Sequence, residues 1–137
     1  MDEHRPVEDS EFVYRRIHRV YYQAGLPIPL QAAAFRPTTN DATGLSVFRA
    51  VFVQPIDILA SIEPGKRNDY YVVRLAVQEL HRLGLTVVAE PEPNGPAGHA
   101  VIPELSWPVY QADKQRLKVI QLELAKLASA AVVHQPS

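Results

Sequence analysis

Polar side chains set inside apolar runs constrain this chain more than any other feature. Arg15, Arg16 and His18 lie within residues 12–22, Ser46 and Arg49 within residues 45–53, and His99 and Glu104 flank residues 100–102. Taking such groups out of water costs free energy unless each finds a partner. They therefore either pair with one another across distant segments or line a pocket. Beyond this, the residues describe a small module with one polar site and do not name a reaction.

Length and composition narrow the class. A chain of 137 residues suits one domain, and 47% apolar residues suffice for a core. The formal net charge is −1, from 14 basic and 15 acidic residues. Duplex-binding proteins carry a basic excess that displaces counterions from phosphates, so nucleic acid is not an expected partner. With no cysteine there is no disulfide framework or thiolate metal site, which fits a reducing cytosol. No apolar run approaches the roughly 20 residues needed to cross a bilayer. The polar start of the chain also lacks the order of a signal peptide, so a cytoplasmic protein without membrane contact is expected.

The pattern along the chain predicts an α+β fold: a single compact domain with a small mixed sheet, short helices and a long C-terminal helix. Residues 1–10 read as a flexible lead-in, 11–105 as the body, and 106–137 as a helix and tail that pack back or dock a partner. Val13, Ile17, Val20, Tyr21 and Ala24 have helical spacing, while the aromatic and β-branched residues beside them favour a strand; local pattern leans to helix. Residues 45–53 read as a buried strand, 55–61 as a short helix, and 70–75, 85–89 and 99–102 as strands. Gly84 closes a short helix over 76–83. Residues 90–98 form an exposed Pro-rich loop. One helix is expected over 109–132, with Leu117, Ile120, Leu124, Leu127 and Ala131 on one stripe.

The blocks VYRRIH, AAFRPTTND, GLSVFR, LGLTVV and EPEPNGPAGHAVIP, spanning about residues 12–102, resemble a group of small bacterial proteins without an assigned activity. Members of that group begin with Leu-Tyr-Arg-Arg-Val-His and look like accessory components of gene clusters, conflict or defence systems among them. The resemblance implies an accessory protein. This chain departs from the group where Arg19 replaces a proline and Ala32 replaces a serine.

Several chemistries compete for the polar residues. One arrangement resembles ADP-ribosyltransferase-like toxins, with Arg16 (or Arg15), Ser46 and Glu104 as its triad and NAD as cosubstrate. The arginine would hold the dinucleotide phosphates bidentately, and the glutamate would stabilise positive charge on the ribose. Ser46, His18 and Asp41 make an alternative nucleophile, base and orienter, although Ser46 lacks the Gly-x-Ser-x-Gly elbow. His18, His81 and His99 are dispersed without chelating spacing, so no metal is expected. Against these stand plain structural roles: arginines lying along apolar neighbours, a serine satisfying a turn, a histidine bonding a loop carbonyl.

The sequence favours a non-catalytic accessory protein without a cofactor. It would bind a protein partner or form a homo-oligomer. The candidate binding residues are Arg16, His18, Ser46 and His99, with Leu117, Ile120, Leu124 and Leu127 as a partner-docking stripe.

Overall fold

The computed structural model describes residues 2–136. Six strands form one sheet: β1 (Phe12–His18), β2 (Leu45–Arg49), β3 (Tyr70–Ala76), β4 (Val88–Ala89), β5 (His99–Ile102) and β6 (Val132–His134), in the order β4-β5-β2-β1-β3-β6. Three α-helices accompany it: α1 (Val77–Arg82), α2 (Trp107–Ala112) and α3 (Lys114–Ser129). The α+β class holds, and every pairing is antiparallel where a mixed sheet was expected.

The first segment is a strand, against its helical spacing. Residues 12–18 alternate sides: Val13 and Ile17 are buried on one face, with Arg15 between them, and Tyr14, Arg16 and His18 point to the other. Arg15 interrupts the apolar series and disguises its two-residue period. The supposed helical stripe fails beyond Ile17, because Val20 is 64% exposed and Ala24 faces solvent. As a central strand paired along its length with β3, the segment satisfies its backbone through the ladder.

The first face carries the main core. Val13, Leu45, Val47, Val73, Leu75, Ala100 and Ile102 meet α3 and a 3-10 turn at Ala32–Phe35. Leu117 and Leu124 are fully buried there, and Ile120 and Leu127 pack half-buried against the same cluster. The stripe is thus consumed by its own domain, and the docking role expected for Leu117, Ile120, Leu124 and Leu127 is withdrawn.

The expected single helix over 109–132 is broken twice. Asp113 leaves helical geometry (φ −153°, ψ 67°), and its carboxylate accepts the Arg116 backbone N–H at 3.3 Å, capping α3. At the other end, β-branched Val132 and Val133 leave the helix for β6, which pairs with the edge of β3.

The second face carries a smaller cluster of Phe48, Val53, Ile58, Leu59 and Val72 under the 3-10 turn Pro55–Leu59. Among the described residues, no helix is long and apolar enough to cross a membrane.

Arg49 ties the chain start to this frame. Its side chain is fully buried at the end of β2, and its guanidinium makes five hydrogen bonds. Nε and Nη2 donate to Glu11 Oε1 and Oε2 (2.9 and 2.8 Å), Nη1 to the carbonyls of Glu3 and Arg5 (3.1 and 2.8 Å), and Nη2 also to that of Pro6 (3.3 Å). The start of the chain, expected to be a loose lead-in, is therefore a strap held from inside. Burial alone would raise the Glu11 carboxyl. Hydrogen bonds from Arg49 and the Glu8 backbone, with the charges of Arg49 and Arg5, outweigh it and hold Glu11 below its usual range.

Two outcomes test this frame. Glu11→Gln leaves a buried guanidinium without its counter-charge and should lower unfolding free energy by about 3–5 kcal/mol in urea titrations at pH 7. Because the folded Glu11 value is depressed, its contribution is complete above the unfolded carboxylate value of about 4.3 and disappears as pH falls through the folded value. The gap between wild type and variant should therefore close in acid. Leu124→Asp places a charge in the main core and should abolish cooperative unfolding in circular dichroism; a stable Leu124→Asp protein would contradict the burial of this stripe.

Candidate functional site

Strand register decides which polar residues meet. Tyr14 pairs with Phe48, and Phe48 with His99, so these three point to the second face. The two-residue period adds Arg16 and His18 from β1 and Ser46 from β2 to the same side. All four predicted binding residues, Arg16, His18, Ser46 and His99, share this face. They do not all touch.

Ser46 and His99 form the inner pair, with Oγ 3.1 Å from Nε2. His99 is 5% exposed, and its Nδ1 lies 2.7 Å from the Glu90 carbonyl. A carbonyl only accepts, so Nδ1 carries the hydrogen and Nε2 is left to face Ser46 and Glu92. In the neutral ring Nε2 accepts from the Ser46 hydroxyl. In the imidazolium it donates instead, and the Glu92 carboxylate waits 3.1 Å away to receive it. The Glu90 carboxylate stands 4.0 Å from Nδ1 and also accepts from the Thr43 hydroxyl. Phe48 meets the His99 ring edge-on at 5.5 Å.

The backbone before His99 is equally constrained. Gly98 has φ +79°, and a Cβ there would lie 3.0 Å from Phe52 Cβ and 3.1 Å from the Arg49 carbonyl oxygen. Its N–H donates to Glu3 Oε1 at 2.6 Å, and its carbonyl accepts from Arg49 N–H at 2.8 Å. The strap and Arg49 thus fix the point from which His99 departs.

Arg16 lies over the Phe48 ring at 5.5 Å, and its Nη1 donates to the Ile58 carbonyl (2.7 Å) and the Ser61 hydroxyl (2.9 Å). Burial lowers its pKa, while the charges of Tyr70 and Glu92 work the other way. Arg15 points to the opposite face. There it donates to the carbonyls of Ala34 and Ser46 (3.1 and 2.9 Å for the shorter bonds), and desolvation brings it down to about 10, with Asp41 opposing. It remains charged at neutral pH and holds β1, β2 and the Ala32–Phe35 turn together.

The remaining candidates are elsewhere. His18 closes the far end of β1, accepting Val20 N–H at Nδ1 (3.1 Å) and packing edge-on against Tyr70. Glu104 accepts from the backbone and hydroxyl of Thr86 at 2.8 and 2.7 Å. Asp41 accepts the Thr38 N–H at 2.8 Å. The Arg16–Ser46–Glu104 and Ser46–His18–Asp41 triads are therefore not assembled. Ser46 sits within β2, not on the exposed strand-to-helix turn that presents a nucleophile. His81 pairs with Asp9 at 2.5 Å, and among the described residues no three His, Asp or Glu side chains gather as a metal group.

Sequence reasoning missed Glu90 and Glu92. Both stand in the 90–98 stretch read as an exposed loop, and their available signal was the acidic pair EPE a few residues before a histidine. The arrangement can do two things: offer pre-placed hydrogen-bond donors beside a guanidinium, and change the donor state of one imidazole nitrogen. No protein-family model matches the chain, and neither does any curated protein or solved structure.

Proposed function

We propose that this chain is a non-catalytic binding module that recognises a protein partner through the second face of its sheet. The observation that carries the reading is how the polar groups are held. Arg16 is fixed by the Ile58 carbonyl and His99 by the Glu90 carbonyl, while the acids that either triad requires are engaged with Thr86 and Thr38. Donors fixed by backbone acceptors lose little conformational freedom on binding, which favours recognition. Phe12 at the start of β1 and Ile56 in the Pro55–Leu59 turn are large apolar side chains that the fold leaves open, at 40% and 59% exposure. Arg74 lies over the Phe12 ring at 4.5 Å, adding a cation–aromatic rim.

The resemblance of residues 12–102 to small bacterial accessory proteins supports an accessory role in a conflict or defence system. The absence of cysteine supports a cytoplasmic setting.

A photo-crosslinking residue placed at Phe12 or Ile56 should yield one discrete adduct in the native host, whereas the same residue at Val119, on the outer side of α3, should yield none. An adduct from Val119 alone would move the interface to the helix and overturn the reading. Nicotinamide dinucleotide provides the control against the enzyme alternative. A ligand held at about 100 times its Kd adds about 2.7 kcal/mol of stability, so a clear rise in Tm with the dinucleotide would favour catalysis instead.

A further inference from the structure

Glu92 behaves as a ligand supplied by the chain itself. Its side chain is 53% exposed on an outer loop, yet its carboxylate reaches a histidine side chain that is only 6% exposed. The loop is secured at both ends. Glu90 N–H donates to the His99 carbonyl at 3.0 Å, and Gly98 is held by Glu3 and Arg49. Between these anchors, residues 92–95 are exposed. The Glu92 side chain thus borders water while His99 keeps its own bond to the Glu90 carbonyl.

The groups left behind form a matched anion receptor. As an imidazolium, His99 offers Nε2–H as a charged donor, and Ser46 Oγ stands 3.1 Å from the same nitrogen with a rotatable hydroxyl. Arg16 adds positive charge from the adjacent strand, with its Nη1 already braced by Ile58 and Ser61. A cleft of about 260 Å³ lies between Asp57, Ala60 and Ser61 on one side and Asn94, Gly95 and Pro96 of the same loop on the other. Ser61 is both a wall of that cleft and a brace for Arg16, so the cleft adjoins the receptor.

We propose that Ser46, His99 and Arg16 form a carboxylate-binding site in which Glu92 is a displaceable internal occupant. This rests on the binding-module reading and gives it a chemistry: the incoming group is a carboxylate, carried either by an acidic side chain of the partner or by a small free acid. Glu92 supplies the geometry of the mimic, one carboxylate oxygen on Nε2. With Nδ1–H held by the Glu90 carbonyl, only the imidazolium donates from Nε2, and that is the form that holds a carboxylate. The charged groups facing this ring are Glu90, Glu92 and, across Phe48, Arg16.

The test is acetate titration at pH 6, followed by imidazole 15N and side-chain 13C NMR. In wild type, acetate should release Glu92, moving its carboxyl resonance to the solvent-exposed position. In Glu92→Ala the internal competitor is gone, and acetate should bind at least tenfold more tightly, with the shift centred on His99 Nε2. Ser46→Ala in that background should weaken binding severalfold. Its circular dichroism spectrum should match the parent, since Ser46 is a half-buried side chain of small volume. Unchanged acetate affinity in Glu92→Ala, or shifts that bypass His99, would overturn the proposal. So would inorganic phosphate binding tenfold more tightly than acetate, because the site would then take a tetrahedral oxyanion.

Acetate also separates the two sources. If it suppresses the adduct formed from Phe12 or Ile56, the carboxylate belongs to the partner; if it binds while the adduct persists, the ligand is a free acid. Loss of the adduct result with acetate binding intact would remove the protein-partner reading and leave the carboxylate site standing.

Discussion

The buried guanidinium of Arg49 is the constraint on which the remainder of the structure depends. A charge out of water is tolerated only when its hydrogen-bonding capacity is fully used and a counter-charge is near. Here Glu11 and three backbone carbonyls supply both. Meeting that demand draws residues 3–6 across the end of the sheet and orders a segment whose composition alone would leave it loose. The Arg49 backbone then holds Gly98, which sets the course of the chain into His99. One arginine thus links the chain start, the end of β2 and the entry to β5.

The two faces of the sheet divide labour accordingly. The first is dry and receives α3, with Arg15 satisfied locally by carbonyls. The second is covered mainly by the Pro55–Leu59 turn, whose Ile58 and Leu59 protect Val72 and Phe48 while polar residues remain around them. Aromatic rings mediate between these environments. Phe48 touches both the Arg16 guanidinium and the His99 imidazole, so the two groups share one ring between them.

Much of this was legible in the sequence, and the misses share a cause. Residues 45–53, 70–75 and 99–102 read as strands because their apolar runs are continuous or strongly β-favouring, and the strands run Leu45–Arg49, Tyr70–Ala76 and His99–Ile102. Arg16, His18, Ser46 and His99 are one candidate site by sequence, because polar groups in apolar runs need partners; Ser46 and His99 meet, whereas His18 bonds at the far end of β1. Residues 12–18 were misread because Arg15 occupies a core-facing position, a choice only the Ala34 and Ser46 carbonyls explain. The helix is expected to run to Val132, where the β-branched Val132 and Val133 also favour a strand. Only the open edge of β3 decides between them. Glu92 was missed for a different reason: the acidic pair before His99 is a signal, but it does not distinguish an acidic loop residue facing solvent from one folded back on a histidine.

That last point bears on how a small domain can keep a polar site in order while leaving it available. A loop held along its length would fix Glu92 permanently, and one held nowhere would let His99 wander. The 90–98 segment does neither. Its ends are fixed by backbone bonds to His99 and by Glu3 and Arg49 at Gly98, whereas Glu92 contributes a contact from a side chain already half in water. Releasing Glu92 therefore sacrifices one partly solvated side-chain contact, an interaction of modest worth. Releasing His99 would break the Glu90 carbonyl bond and open the buried Phe48 edge. The exposed and the buried contacts of the site differ in that respect, and the buried one rests on the same strap that Arg49 draws across the sheet.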